Sequence, residues 1–161
     1  ELIQEVPGFN SNLEIKLIGA VSQEVLETIS QFELNKYLNN LGYVSHNVAI
    51  AHQRKSQVLV LIEINSEDTK SIIPGKLFEY MVSNRPIIAI GPQDSDFAEI
   101  ITSTNTGVFL TYSEKLKLKR VILDFYNQFL EVKLQSNGVG LQKYSRKSLT
   151  KELAQLIHSN F

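Results

Sequence analysis

Apolar and polar positions alternate in two different periods along this chain, and the changes of period mark its elements. Leu13 to Ala20 alternates towards Ile15, Leu17 and Ile18 and predicts a strand. From Ser22, an N-cap residue, Val25, Ile29 and Phe32 recur at helical spacing on to about Tyr37. Asn39-Asn40-Leu41-Gly42 is then expected to end that helix, with Tyr43-Val44 as a short strand and Ser45 capping a helix from His46 to about Lys55. Val58 to Ile64 and Pro86 to Ile90 are nearly continuous apolar runs, the pattern of strands buried on both faces, as in parallel sheets. A short helix over Asp96 to Thr102, a strand over Thr106 to Leu110 and a long helix after Ser113 follow, the last with Leu118, Ile122, Phe125 and Phe129 on one face. Ser136 to Gly140 reads as a flexible connection, and Leu149, Leu153, Leu156 and Ile157 mark a final helix. Glu1 to Asn12 reads as a lead with a turn at Pro7-Gly8, a frayed end of a removed element. Strands alternating with helices predict an α/β fold: a Rossmann-like, doubly wound parallel sheet flanked by helices.

Between the two apolar runs lies an acidic loop, Glu63 to Lys70, and then Ser71-Ile72-Ile73-Pro74-Gly75-Lys76-Leu77-Phe78-Glu79-Tyr80-Met81. Pro74 suits a first helical position, where its missing N–H costs no bond. Gly75 lets another group approach the backbone where helix-start N–H groups are unpaired. Lys76 is an unusual choice in a first turn, because a cation opposes the helix dipole unless an anion sits there. A phosphate satisfies both the lysine and the bare amides. Glu79 falls on the same face, about 4.5 Å along the axis, where it can accept hydrogen bonds from hydroxyls beside a phosphate. The plainer alternative is a surface Lys–Glu pair on an amphipathic helix, with Leu77, Phe78 and Met81 as core. Spacing leaves both open.

The stretch from Pro74 to Met81, followed by Asn84-Arg85-Pro86-Ile87-Ile88-Ala89-Ile90-Gly91-Pro92, resembles the donor-binding signature of group 1 glycosyltransferases of the GT-B fold. Leu41-Gly42-Tyr43-Val44-Ser45-His46 resembles that family's base-side strand and loop. The resemblance runs roughly from Leu13 to the last helix. It implies that the chain is the C-terminal, donor-binding half of a GT-B enzyme, with residues 1–161 as one nucleotide-sugar donor domain. It implies a nucleoside-diphosphate sugar as donor substrate, no separate cofactor and no metal. The implied acceptor is a saccharide or a lipid-linked acceptor, held by an N-terminal domain. Lys76 is implied to stabilise the diphosphate leaving group, Ile72, Ile73, Pro74 and Gly75 to wrap it, Glu79 to hold the ribose, Tyr43, Val44 and Ser45 to border the base, and Ser71 to be a further donor-binding position. Many members carry a second glutamate where this chain has Ser71, which leaves the sugar and the stereochemical outcome open. The chain opens at Glu1 without Met, and the early strand and glycine-rich loop of such a domain are expected upstream of it. Two other readings are a nucleotide-sugar epimerase of the same architecture, for which no acid–base pair stands out, and a non-catalytic module whose nucleotide site has decayed.

Composition narrows the class without naming a function. Hydrophobic residues at 43% and charged residues at 20% are those of a globular chain. No apolar run approaches the roughly 20 residues that span a bilayer. The absence of cysteine excludes disulfides and zinc–thiolate sites and fits a reducing, cytoplasmic setting. Net charge is −1, but residues 1–113 hold 7 basic and 13 acidic side chains, whereas residues 114–161 hold 9 basic and 4 acidic. Attraction of this basic part to anionic lipid, as a peripheral membrane contact, or to the parent protein's other domain is the functional reading. Solvated helix faces is the preferred one, on the ground that no aromatic or apolar stripe accompanies the charge. No nucleic-acid partner is expected. His46, His52 and His158 lack partners at metal-ligand spacing. Asp94 and Asp96 read as turn and helix-start residues before they read as magnesium ligands. Gly138-Val139-Gly140 lacks the third glycine and the preceding strand of a dinucleotide fingerprint.

Overall fold

Apolar runs punctuated by turn residues must pair their backbone groups, and the chain does so in two small parallel sheets flanked by helices. The computed structural model describes residues 1–159. The chain divides into two compact units, Glu1–His52 and the part from Gln53 onward.

In the first unit, two single-turn helices, α1 (Leu2–Glu5) and α2 (Phe9–Asn12), fold about Gly8, whose φ of 79° is the left-handed region. Leu2 and Phe9 are buried, so this lead is packed structure and not a frayed end. Strand β1 (Ile15–Leu17) pairs in parallel with β2 (Leu38–Asn40), Ile15 opposite Leu38. Helix α3 (Gln23–Gln31) crosses between them, with the Ser22 hydroxyl accepting from the Val25 N–H at 3.4 Å. The helix stops well short of Tyr37. Glu33 takes a φ of 55°, and the Leu34 N–H turns back to the Ile29 carbonyl at 3.1 Å, closing the helix end. Asn39 and Asn40, expected to end the helix, therefore belong to a strand, and the Asn39 amide donates to Glu14 at 2.8 Å. Tyr43 and Val44 lie in the loop that follows, not in a strand. Helix α4 (His46–Lys55) has the predicted bounds, opening with the Ser45 carbonyl accepting from the Ala49 N–H at 3.0 Å.

The second unit holds strands β3 (Leu59–Ile62), β4 (Ile87–Ile90) and β5 (Gly107–Leu110), parallel and in that order, with Leu59 opposite Ile87 and Ile87 opposite Gly107. Helices α5 (Lys76–Met81) and α6 (Asp96–Thr104) connect them, and α7 (Lys115–Leu130) and α8 (Arg146–Ser159) follow. One face of the sheet packs Leu59, Leu61, Ile87 and Ala89 against Leu77 and Met81 of α5 and Phe97 and Ile101 of α6. The central strand is buried on both faces, since Ile88 is buried as well as its neighbours. The edge strand is not: Val60 and Ile62 are 53% and 62% exposed, against the expectation of two covered faces. A continuous apolar run thus identifies a strand of a parallel sheet without saying whether both faces find cover. The β4–β5 pair needs glycine at its start, because a Cβ on Gly107 would overlap the Ile87 carbonyl, 2.7 Å from its carbon. The connection over 136–140 is pinned, not free. Its Val139 N–H donates to the Thr104 carbonyl at 2.8 Å, and the Asn105 amide donates to the Asn137 carbonyl at 3.1 Å.

Candidate functional site

Parallel strands send all their following loops to one end, where ligands of α/β sheets bind. In the second unit these loops are residues 63–75 after β3, 91–95 after β4 and 111–114 after β5. The first of them is tied down by its own polar residues. The Ser66 hydroxyl accepts from the Asp68 N–H at 3.3 Å, opening a short 3-10 turn over Glu67–Thr69. The buried Thr69 hydroxyl lies 2.7 Å from the Ile64 carbonyl, and Lys70 pairs with Glu67 at 2.7 Å. The Lys70 carbonyl accepts from the Asp96 N–H at 2.9 Å, joining this loop to the start of α6. The Tyr112 hydroxyl donates to the Glu63 carbonyl, joining it to the loop after β5. Burial and the nearby Glu63 charge push the Tyr112 phenol up from its ordinary value, so it stays a donor.

This loop delivers the chain to α5. The Leu77 N–H donates to the Pro74 carbonyl at 2.9 Å, so Pro74 makes the first helix-like turn, although the regular helix begins at Lys76, two residues beyond the predicted place. Gly75 has a helical φ of −56° and ψ of −30°, so its backbone does not need glycine. Nothing lies within 4 Å of the Cβ that another residue would carry there, which leaves the peptide open to approach. Leu77, fully buried, anchors the helix to the core, and Lys76 just before it is exposed.

The Lys–Glu pair of the plainer reading is not formed. The Gln53 amide donates to Glu79 Oε2 at 3.3 Å, and among the described residues the Lys76 ammonium has no counter-charge. Ser71, Ile72 and Ile73 are also exposed along the approach to the helix. The structure thus places Ser71 through Glu79 in one continuous loop-and-helix start of the second unit. Tyr43, Val44 and Ser45 belong to the first unit, in the loop before α4, with the Tyr43 ring 92% exposed.

Sequence reasoning passed over another feature of this unit. A shallow, open depression of about 880 Å³ lies between the start of α6 and the loop after β5, lined among others by Asp94, Ser95, Glu99, Phe109 and Glu114. None of residues 71–79 lines it, so this space and the lysine-bearing turn are separate features. Its residues come from two loops and a helix face, with no local motif to reveal them. Asp94 sits at a φ of 58° in the turn and Asp96 opens α6, the structural roles expected of them. Among the described residues no group of three or more His, Asp or Glu can hold a metal ion. The chain matches no protein-family model and no curated protein.

Proposed function

We propose that this chain is the donor-binding part of a nucleotide-sugar glycosyltransferase of doubly wound, GT-B architecture. The observation that carries the reading is the state of Lys76: an exposed cation at a helix start, without a counter-charge among the described residues and beside the open Gly75 peptide, while one oxygen of Glu79 accepts from Gln53. A cation placed against the helix dipole has a local cost that an anionic ligand offsets. The signature-like sequence from Pro74 to Pro92 supplies the class of anion, a nucleoside diphosphate. In the transfer step the bond from the anomeric carbon to the diphosphate oxygen breaks, and negative charge grows on the leaving diphosphate. The Lys76 ammonium and the N–H groups near Gly75 stabilise that charge. Ile72 to Gly75 follow the diphosphate with their backbone, and Glu79, oriented by Gln53, accepts from the ribose hydroxyls. The acceptor, a saccharide or lipid-linked acceptor, is held by another domain of the full-length protein, which works in the cytoplasm.

The test is Lys76→Ala in the full-length protein. Calorimetric titration should show nucleoside diphosphate affinity weakened by about 1.5–3 kcal/mol, the worth of a charge-assisted hydrogen bond. Thermal stability should stay level, because an exposed lysine opposing the dipole contributes nothing to the fold. Unchanged affinity would overturn the phosphate assignment.

A further inference from the structure

Helix α8 leaves its apolar residues exposed. It runs from Arg146 to Ser159, and no residue along it is buried. Leu149, Leu153, Leu156 and Ile157 are 47%, 58%, 60% and 51% exposed. Their spacing of four, three and one puts all four on a single stripe about 100° wide. The sequence expectation that no apolar stripe accompanies the basic part is therefore corrected: the stripe exists and is more than half exposed at three of its four positions. A 14-residue helix is marginal on its own in water, since most helical stability in proteins comes from covering the apolar face. Some surface is needed to cover it.

The charge around the stripe selects that surface. Lys147 and Lys151 stand on the face opposite the stripe, Arg146 starts the helix and Lys143 precedes it, against Glu152, beside the stripe, as the helix's one acid. An anionic surface complements that charge. The stripe is made of Leu and Ile with no aromatic residue, and the cations of the polar face are lysines. Protein interfaces favour aromatic and arginine anchors and are depleted in lysine, whereas a lipid surface takes aliphatic side chains and lets lysines reach back to the headgroups. No helix of the described residues is long and apolar enough to cross a membrane, so the contact is one of lying on the surface. We propose that α8 docks in the plane of an anionic phospholipid surface, with Leu149, Leu153, Leu156 and Ile157 immersed and the basic residues at headgroup level. This stands independently of the donor-site reading.

Co-sedimentation of the chain with vesicles of phosphatidylcholine containing about a third phosphatidylserine tests it. Binding should be about tenfold or more tighter than to phosphatidylcholine alone and should weaken at high salt. Leu153→Asp should abolish it, and Lys147→Glu with Lys151→Glu should reduce it to the level of neutral vesicles. These side chains are exposed, and an unchanged thermal melt would show that the variants fold. No sedimentation with the anionic vesicles, or equal sedimentation of Leu153→Asp, would overturn the proposal. So would a dimer in sedimentation velocity that Leu153→Asp dissolves, since the stripe would then be covered by a second copy.

Discussion

Glu79 and Glu114 show how one acid can be read from its neighbours and another only from its fold. Gln53 holds one oxygen of Glu79 at 3.3 Å and leaves the other available. Glu79→Gln keeps the shape but turns an acceptor-only group into one that is half donor. In the full-length protein it should weaken binding of a ribonucleoside diphosphate while binding of pyrophosphate barely changes. Equal loss for both, by calorimetry, would mean that Glu79 orders the helix and does not meet the ribose. Glu114 closes the turn after β5, accepting from the Thr111 N–H at 2.7 Å and from Lys117 at 3.0 Å. The Thr111 N–H first, and then Lys117, hold its carboxyl below the usual carboxylate range. A depressed carboxylate contributes stability that is present above its unfolded value and lost as pH falls through its folded one. Glu114→Gln should therefore lower the melting temperature at neutral pH, and the difference from the parent should vanish in acid. A constant difference from pH 7 to pH 3 would show that charge has no part in it.

At the scale of elements, the central sheet depends on two close fits. Gly107→Ala drives a methyl into the Ile87 carbonyl across the β4–β5 ladder, where neither strand can shift without breaking the register. It should cost about 1–3 kcal/mol, the usual range for overpacking, read as a lower urea midpoint. Helix α5 is six residues long and too short to be stable by itself, so Leu77, at 0% exposure, holds it in place. Leu77→Ala should cost about 2–5 kcal/mol and loosen the Lys76 turn with it, seen as faster amide exchange over 74–79. Elements with strong local signals were legible: α4 and β4 fall close to their apolar and capping residues. The end of α3 was hidden, because Glu33 adopts a left-handed φ that glycine or asparagine usually advertises. Continuing the helix through Tyr37 then displaced β2 by several residues and moved the expected strand to Tyr43-Val44.

Over the whole molecule, the proposed division of labour gives a further expectation. The 161-residue chain should unfold cooperatively on heating, show little or no shift with a nucleotide sugar and transfer none, because the acceptor is assigned to another domain. Transfer by this chain alone, in an assay with radiolabelled nucleotide sugar, would contradict that division. The sequence by itself determined the mixed α/β class, the strand–helix–strand order around Pro74 to Pro92, and which residues form the lysine-bearing turn. These follow from periodicity, turn residues and capping, all of which act over a few neighbours. Only the tertiary structure decided that Glu79 pairs with Gln53 and not with Lys76, that Val60 and Ile62 of β3 are exposed, and that the stripe of α8 is exposed. Those outcomes rest on contacts between residues far apart in the chain, or on their absence. An apolar pattern states what a segment needs to bury, but not what arrives to cover it.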